Sequence, residues 1–301
     1  MNTITAVVHT KNSAKTLDLC LQSLAWCTET FVVDMQSTDE TLTIAKKYKA
    51  TTFTVKNEPA FVDPIRNEYL AKVKTDWTII VDSDEEVSPD LAKKIQEVMM
   101  TSGVNGYAIP RLNIIFGKQI EHTGFWPDYI VRLFRTGKGT YPPRVHAQPM
   151  VDGKVVYLPA EKQAALIHHH YESIEQFVAR MNTYTSAEVV KILEKEKTVQ
   201  PLQALQAFFG QFFSRFFDQQ GYKDGSYGFA LSLLLGMYTG ISYLKAWETQ
   251  KSDQVISLGD VEDVVSDACS QTTYWVANES IKQTPNVITK SLLKIRRKLS
   301  S

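Results

Sequence analysis

The chain has 301 residues, of which 44% are hydrophobic, so it can bury the core of one large domain or of one domain with an appendage. Its 33 Lys and Arg residues balance its 33 Asp and Glu residues, and this neutrality argues against a nucleic-acid-binding protein. Three cysteines without paired spacing disfavour a disulfide framework or a zinc site. Met1 runs straight into ITAVVHT, so we expect no secretory signal and a cytoplasmic protein.

Strands and helices alternate through the first hundred residues. Short apolar, β-branched runs predict strands at 4–9, 30–34, 50–55 and 77–82. Amphipathic runs predict a helix after each strand; these helices begin at Ser13, at Ser37 or Thr38, at Pro64 and, after a Ser88 cap, at Pro89. This alternation is typical of an α/β protein with a parallel sheet, in which ligands bind beyond the carboxyl ends of the strands.

The pattern changes at Gly103. Residues 103–170 read as strands separated by turns, and the chain after His170 reads as helical. The sequence therefore predicts an α/β half, a β-rich half and a helical C-terminal region.

Four acids follow the predicted strand in WTIIVDSDEEVS, residues 77–88, and three interpretations are open. Acids at a helix N-terminus favour the positive end of its dipole, which would explain Glu85 and Glu86 as solvated residues. Asp82 and Asp84 form an Asp-x-Asp pair, whose oxygen ligands suit Mg²⁺ or Mn²⁺. The third interpretation is a catalytic acid/base pair.

The N-terminal half resembles glycosyltransferase family 2, whose enzymes have the GT-A fold. The resemblance rests on AVVHTKN, FVVDMQSTDETLTIAKKY, DPIRNEYL and WTIIVDSDEE. GFWPDYIVRLFR, RVHAQP and GYKDGSYGFALSLLLGMYTGISYLKAWE further resemble the subgroup of lipopolysaccharide core β-glucosyltransferases, so the similarity covers about residues 1–248. It implies a Rossmann-like nucleotide-diphospho-sugar transferase (GT-A) domain at 1–172 with a β-rich acceptor half, and a helical membrane-associating extension at 173–248. Residues 249–301 lie outside the resemblance, and we expect a helical, basic tail of unknown role there.

The resemblance also assigns site residues. The nucleotide would be bound by Thr10, Asn12, Asp34, Arg66 and Asp82. Asp82 and Asp84 would hold a Mg²⁺ or Mn²⁺ ion that stabilises the departing diphosphate, with Asp84 preferred as the direct ligand. The chain departs from the family where His9 and Ser13 replace Pro and Glu, and where Ala147 replaces a Glu of the subgroup.

Asp128 is the candidate base for the acceptor hydroxyl, and the alternative is an ordinary loop aspartate after proline. Trp126 and Tyr129 beside it suit stacking on a sugar face. Arg132 and Arg135 are predicted either to contact phosphate or to face outward from a strand. The possible acceptor site comprises Trp126, Arg132 and His146.

Three consecutive histidines, residues 168–170, raise the question of a further metal ligand. Because side chains alternate along a strand, only His168 and His170 can converge, and one of them is a candidate to complete the Asp84 site. Satisfied or solvated histidines are the alternative.

Three C-terminal segments bear on a membrane. The phenylalanines of FFGQFFSRFF (208–217) fit a helix buried against the core or one lying on lipid. Residues 225–244 lack charge but are rich in Gly, Ser and Tyr, so we expect a reentrant or surface-bound hairpin rather than a span. KSLLKIRRKLSS suits an anionic cytoplasmic leaflet, or is a solvated tail.

These features predict an inverting, metal-dependent hexosyltransferase. It would move a hexose, first of all glucose from UDP-glucose, to a lipid-linked or cell-envelope glycan, and would lie peripherally on the inner face of the cell membrane. The alternatives are a catalytically silent nucleotide-sugar-binding homologue and a nucleotidyltransferase. The second would need a Gly-rich stretch near the first strand, where TKNSAKTL has no glycine.

Overall fold

The computed structural model describes residues 2–55, 65–142, 148–251, 253 and 255–299. The chain forms two compact units. Met1–Gln119 and Phe125–His170 form the first, here called the α/β unit; Ile120–Gly124 and Tyr171–Ser301 form the second, the helical unit.

The α/β unit begins with alternating strands and helices and continues with strands. The alternating part contains β1 (Ile4–Thr10), α1 (Leu17–Ser23), β2 (Glu29–Asp34), α2 (Thr41–Lys47), β3 (Thr51–Thr54), α3 (Arg66–Leu70), β4 (Trp77–Asp82), β5 (Glu85–Val87) and α4 (Pro89–Val98). The strands that follow are β6 (Gly106–Ile115), β7 (Lys118–Gln119), β8 (Asp128–Arg135), β9 (Gly139–Thr140), β10 (Met150–Val151), β11 (Val155–Tyr157) and β12 (Leu166–Tyr171).

One mixed sheet organises this unit, in the order β3-β2-β1-β4-β8-β6-β12-β5, with β7 and β11 also paired to β6. β1 pairs in parallel with β2 and β4, whereas β8 runs antiparallel to both β4 and β6. The predicted α/β class with a β-rich half is therefore confirmed. The parallel register places Thr10 beside Asp34 and His9 beside Asp82, so the carboxyl ends of β1, β2 and β4 lie at the same edge.

The sheet is buried on both faces, which explains the continuous apolar runs of β1 and β4. Alternate residues of β1 point to opposite sides: Ala6 and Val8 join the cluster that includes α1 and α4, and Val7 joins the cluster on the other face. This two-sided core fixes the strand register and hence the position of the residues that follow each strand.

Some of the predicted helix starts agree with the structure and others do not. The Ser88 hydroxyl accepts a hydrogen bond from the amide of Leu91, and Pro89 occupies the first turn of α4, as expected. The prediction that Ser37 or Thr38 caps α2 is wrong, because α2 begins at Thr41 and the Ser37 hydroxyl accepts from the backbone of Asn12 instead. The helix expected at 64–74 is limited to α3; position 64 lies outside the described residues.

The helical unit contains α5 (Ile174–Lys195), α6 (Pro201–Phe213), α7 (Ser226–Gln250), α8 (Leu258–Gln283) and α9 (Val287–Leu299). A π-helical turn extends α6 through Ser214–Asp218, and a 3-10 turn covers Gly221–Asp224.

The hairpin predicted at 225–244 is wrong, because α7 is one continuous helix. Its hydroxyls are satisfied within the helix: those of Ser232 and Ser242 donate to carbonyls four residues earlier. Gly236 and Gly240 lie against the α6 backbone, where a Cβ would come within 3.0–3.1 Å of carbonyl oxygens. The small residues thus support close packing between two helices rather than a chain reversal.

Helix α7 is the single helix in the described part of the chain that is long and apolar enough to cross a membrane. Within its most apolar stretch, 39% is buried in the protein, and core helices of soluble proteins have the same length and composition. Its geometry therefore does not assign a membrane role by itself.

The six phenylalanines between 208 and 217 pack among the helices of their own unit. Phe213 and Phe217 are buried, and Phe217 stacks on Trp275 of α8 with ring centroids 6.1 Å apart. Phe212 and Phe216 contact Phe229 of α7 edge-on. Burial between helices accounts for this aromatic segment.

Residues 120–124 are held in the helical unit by Asp224. The buried Asp224 carboxylate accepts hydrogen bonds from the amides of Glu121 and His122, from the His122 ring and from the Thr123 hydroxyl. The Asp of GYKDG is therefore an anchor for a segment about a hundred residues earlier in the chain.

Candidate active site

Asp82, the last residue of β4, lies between two arginines. Arg66 donates to its Oδ1 at 3.0 Å, and Arg132 of β8 donates to its Oδ2. Burial would raise the pKa of the Asp82 carboxyl, but Arg132 and Arg66 hold it well below its usual range. Asp82 is consequently ionised and bound within the protein.

Glu85 is fully buried, so the expectation of a solvated acid at a helix N-terminus is wrong for this residue. Its Oε1 accepts from Arg111 at 3.1 Å and from Arg132 at 3.0 Å, and its Oε2 accepts from the Asp82 amide at 2.9 Å. Burial alone would lower the pKa of Arg132, yet Asp82 and Glu85 raise it, so the guanidinium stays charged. These ion pairs explain how Asp82 and Glu85 can both lie, charged, at the end of β4.

Asp84 has a different environment. Its carboxylate accepts no hydrogen bond from the described residues, and a quarter of the side chain is exposed. Its Oδ2 lies 3.8 Å from Nε2 of His168, a residue of β12. Asp84 is therefore the carboxylate of the Asp-x-Asp pair that is open to a ligand.

Asn113 of β6 determines how His168 faces Asp84. The Asn113 Nδ2 donates to the carbonyl of Phe125 at 3.0 Å and to Asp128 Oδ2 at 3.1 Å, which leaves its Oδ1 as an acceptor. That oxygen lies 2.7 Å from His168 Nδ1, so the histidine carries its proton on Nδ1. In the neutral ring, the Nε2 lone pair then points at Asp84.

Asp128, the candidate base, is fixed by the same network. Its Oδ2 accepts from Arg111 Nε at 2.9 Å and Nη2 at 2.7 Å, in addition to Asn113. Its Oδ1 accepts no hydrogen bond from the part of the chain that the structure describes. A continuous series of polar contacts, through His168 and Asn113, thus connects Asp84 to Asp128.

The alternation predicted for the three histidines is confirmed. His168 and His170 lie on one side of β12 with their rings stacked, the centroids 4.5 Å apart. His169 points to the other side and pairs with Glu86.

The residues assigned to the nucleotide lie at the carboxyl ends of β1 and β2. Asp34 is fully buried, and both of its oxygens accept from the Ser37 amide. The Asn12 Oδ1 accepts from the Thr38 amide at 2.8 Å, while the buried Thr10 hydroxyl has no partner among the described residues. The structure therefore brings Thr10, Asn12 and Asp34 together, and places Arg66 on Asp82.

The residues assigned to the acceptor site are distributed differently. Arg132 is buried beneath the acids instead of facing outward, and Arg135 donates to the carbonyls of Val104 and Thr101. Trp126 is half-buried and precedes a cis proline. His146 and Ala147 lie outside the described residues.

The sequence interpretation missed Arg111 and Asn113 and misjudged Glu85. The two β6 residues lie in GYAIPRLNII, whose apolar positions indicated only a strand. A polar residue at every second position, Arg111 and Asn113, was the available signal that one face of β6 is not core.

The donor set fits a divalent cation with few protein ligands. Across the residues that the structure describes, three or more His, Cys, Asp or Glu side chains do not converge as a metal cluster. Asp84 and His168 could supply an oxygen and a nitrogen ligand, and a diphosphate and water would have to supply the others. The hydrogen bond from His168 to Asn113 is the outer contact that commonly orients a metal-binding histidine.

Comparison with known proteins finds a family model that matches most of this region. Residues 5–148 match the family model described as Glycosyl transferase family 2, which confirms the resemblance read from the motifs. An uncharacterized glycosyltransferase of Rickettsia conorii is 24% identical over 269 residues, covering 84% of this chain and 93% of its own length.

Two further proteins are similar. The lipopolysaccharide core biosynthesis glycosyltransferase LpsC of Rhizobium meliloti is 23% identical over 205 residues, covering 64% of this chain and 73% of its own. The crystal structure of S. aureus TarS residues 1–349 with UDP-GlcNAc aligns at 15% identity with a TM-score of 0.45, covering 85% of this chain and 93% of that one.

Proposed function

Since residues 5–148 match glycosyl transferase family 2, we propose that this protein is an inverting glycosyltransferase that uses a nucleotide-sugar donor and a divalent cation. The observation that carries the proposal is the contrast between Asp82, which is bound by two arginines, and Asp84, which faces His168 without a hydrogen-bond donor among the described residues. This leaves one carboxylate and one imidazole available at the strand edge where ligands bind in α/β sheets.

Asp84 and His168 would hold Mg²⁺ or Mn²⁺. When bound, the ion stabilises the negative charge that develops on the departing nucleoside diphosphate. Asp82 contributes indirectly, because its carboxylate holds Arg66 and Arg132 in place next to the candidate ligands.

Asp128 would act as the base. Its Oδ1 removes the proton from the acceptor hydroxyl while the hydroxyl oxygen bonds to the anomeric carbon and the bond from that carbon to the diphosphate breaks. Both electrons of the breaking bond leave with the diphosphate. Arg111 clamps Oδ2 in two hydrogen bonds, which directs Oδ1 toward the reacting hydroxyl.

Thr10, Asn12 and Asp34 would form the nucleotide pocket. The support is their common position at the ends of β1 and β2, next to Asp82. We propose a hexose donor, first UDP-glucose, on the likeness to lipopolysaccharide core enzymes; LpsC is named for that pathway.

The proposed acceptor is a lipid-linked or cell-envelope glycan, with the protein peripheral on the cytoplasmic face of the membrane. Trp126 beside Asp128 would stack on the acceptor sugar, and His146 is assigned to the same site on the sequence resemblance alone. The basic α9 supports a location at the membrane surface.

Release of free nucleoside diphosphate tests this function. Purified protein is incubated with Mn²⁺ and a panel of nucleotide sugars, and the wild type is compared with Asp84→Asn. We expect slow release from one donor and a fall of about 10²–10³-fold in the variant, the typical cost of losing a group that stabilises developing charge. Asp90→Asn on α4, an exposed aspartate in the same unit, is the matched control and should release at the wild-type rate.

The outcomes separate the candidate functions. Equal release by Asp84→Asn and the wild type would contradict the assignment of Asp84. Tight UDP binding without release from any donor, with acceptor extract present, would favour the catalytically silent homologue.

A further inference from the structure

Helix α9 carries an apolar stripe and a basic region. At about 100° per residue, Ile288, Leu292, Ile295 and Leu299 fall within an arc of about 60°. All four are exposed, by 74%, 63%, 58% and 83%. Such a stripe on a helix of a folded protein normally faces the core.

The opposite side of α9 contacts the protein. Leu293 and Arg297 are the half-buried residues of its last turns, and Arg297 donates to Asn278 of α8 at 2.9 Å. These two positions lie about half a turn away from the stripe. The side of α9 that packs against the protein therefore contains both an apolar and a charged residue, and the apolar stripe faces away from the rest of the helical unit.

All charged side chains of α9 are basic. Its thirteen residues, VITKSLLKIRRKL, include five basic side chains and no acid, whereas the whole chain is neutral. Lys298 lies on one side of the stripe and Arg296 on the other, and both are exposed. An apolar stripe bordered by cations is the pattern of a helix that lies in the interface of an anionic bilayer.

We propose that the Ile288–Leu292–Ile295–Leu299 stripe of α9 docks on an anionic lipid surface, with the helix parallel to the membrane. The stripe would enter the boundary between headgroups and acyl chains, and Arg296 and Lys298 would contact lipid phosphates. This inference rests on the membrane location proposed above and names the surface that docks; it requires neither a donor nor a cation, so it can fail while the transferase proposal holds.

Vesicle co-sedimentation of the full chain tests the docking surface. The probes are phosphatidylcholine vesicles and vesicles in which phosphatidylglycerol replaces part of the phosphatidylcholine. We expect binding to the anionic vesicles that weakens as salt is added. Leu292→Gln/Ile295→Gln should lower the partition coefficient at least about tenfold, because two large apolar side chains no longer enter the bilayer.

A charge variant tests the second component. Arg296→Gln/Lys298→Gln should weaken binding to the anionic vesicles roughly fivefold per basic residue and leave the weak binding to neutral vesicles unchanged. Val190→Gln on α5, also at an exposed apolar position, is the matched control and should bind as the wild type. Far-UV circular dichroism and UDP binding, measured on each variant, confirm that the fold is retained.

Three results would overturn the proposal. The first is equal binding to neutral and anionic vesicles, and the second is unchanged binding of Leu292→Gln/Ile295→Gln. The third is a lipid-free dimer, seen by sedimentation velocity, that this same double variant dissociates, since the stripe would then be an interface between two copies. These three measurements do not depend on transferase activity, so they can be interpreted even if the transferase proposal fails.

Discussion

Asp82 and Asp84 are two residues apart, but their side chains have opposite environments. Asp82, like Glu85, is bound by arginines from α3, β6 and β8 and serves to hold those arginines. Among the described residues, the Asp84 carboxylate accepts no hydrogen bond and lies 3.8 Å from the imidazole of His168. The comparison shows that an Asp-x-Asp pattern does not give its two acids equal roles, because the partners on neighbouring strands decide which acid remains available.

The arginine-bound acids and the Asp84–His168 pair should respond differently to mutation. Neutralising a member of the first set leaves buried guanidinium groups without a counter-charge, which costs stability. Changing a residue that orients the Asp84–His168 pair should lower cation affinity more than it lowers the stability of the fold.

Glu85→Gln has the largest expected effect. Both carboxylate oxygens of Glu85 accept hydrogen bonds, whereas the Gln amide has one acceptor, so its NH₂ group must face a donor. We expect the free energy of unfolding to fall by about 3–5 kcal/mol. Urea denaturation measures it.

Glu97→Gln is the control for that experiment. Glu97 is an exposed residue that pairs with Lys94 on α4, so its loss should change stability by less than about 1 kcal/mol. If Glu85→Gln proved as mild as the control, the ion-paired network would not be a determinant of the fold.

Asn113→Leu tests how the Asp84–His168 pair is oriented. Without the Asn113 oxygen, His168 loses the partner that keeps its proton on Nδ1, so Nε2 is no longer fixed toward Asp84. We expect the affinity for Mn²⁺ in the presence of UDP to fall about 10–100-fold. Electron paramagnetic resonance of free Mn²⁺ measures this affinity without turnover.

Asn105→Leu is the comparison variant for Asn113. Its side chain donates to the carbonyl of Asp152, away from the histidine, and Mn²⁺ affinity should be retained. Nitrogen-15 NMR of His168 gives a direct reading, because Asn113→Leu should shift the ring away from the Nδ1-protonated tautomer. An unchanged tautomer and affinity would refute the positioning role.

His9 gives the smallest expected effect, seen in the pH dependence of stability. Burial, followed by the charge of Arg66, lowers the pKa of His9 well below its usual value. The unfolded chain therefore binds this proton first as the pH falls below about 6.5, and folded stability declines with decreasing pH by at most about 1.4 kcal/mol per unit.

His9→Gln isolates that contribution. The variant should lose part of the decline in melting temperature between about pH 7 and pH 5 that the wild type shows. Identical pH profiles for the two proteins would mean that folding does not change the pKa of His9.

Much of the α/β unit was predictable, because strands buried on both faces are readable as apolar runs. β4 was placed at its observed bounds, and the edge formed by Thr10, Asp34 and Asp82 follows from parallel pairing alone. The alternation of His168 and His170 was equally local, since it depends on strand geometry and nothing else.

The arginine partners were not predictable in the same way. Arg111 and Arg132 reach Glu85 because β8 pairs antiparallel with β4 and β6 pairs antiparallel with β8, and this order is not encoded in local periodicity. The continuous α7 was missed for a related reason. Glycine and serine weaken a helix on propensity scales, but in α7 the glycines pack against α6 and the serine hydroxyls donate to carbonyls of the same helix.

Direct Mn²⁺ binding tests the central claim that Asp84 is the available acid. The bound ion is measured by electron paramagnetic resonance with UDP present, for the wild type, Asp84→Asn and the control Asp90→Asn. The structure predicts saturable binding in the wild type and the control and its loss in Asp84→Asn, with the melting temperature unchanged. Full binding by Asp84→Asn would contradict the account, because the cation would then be held by other groups.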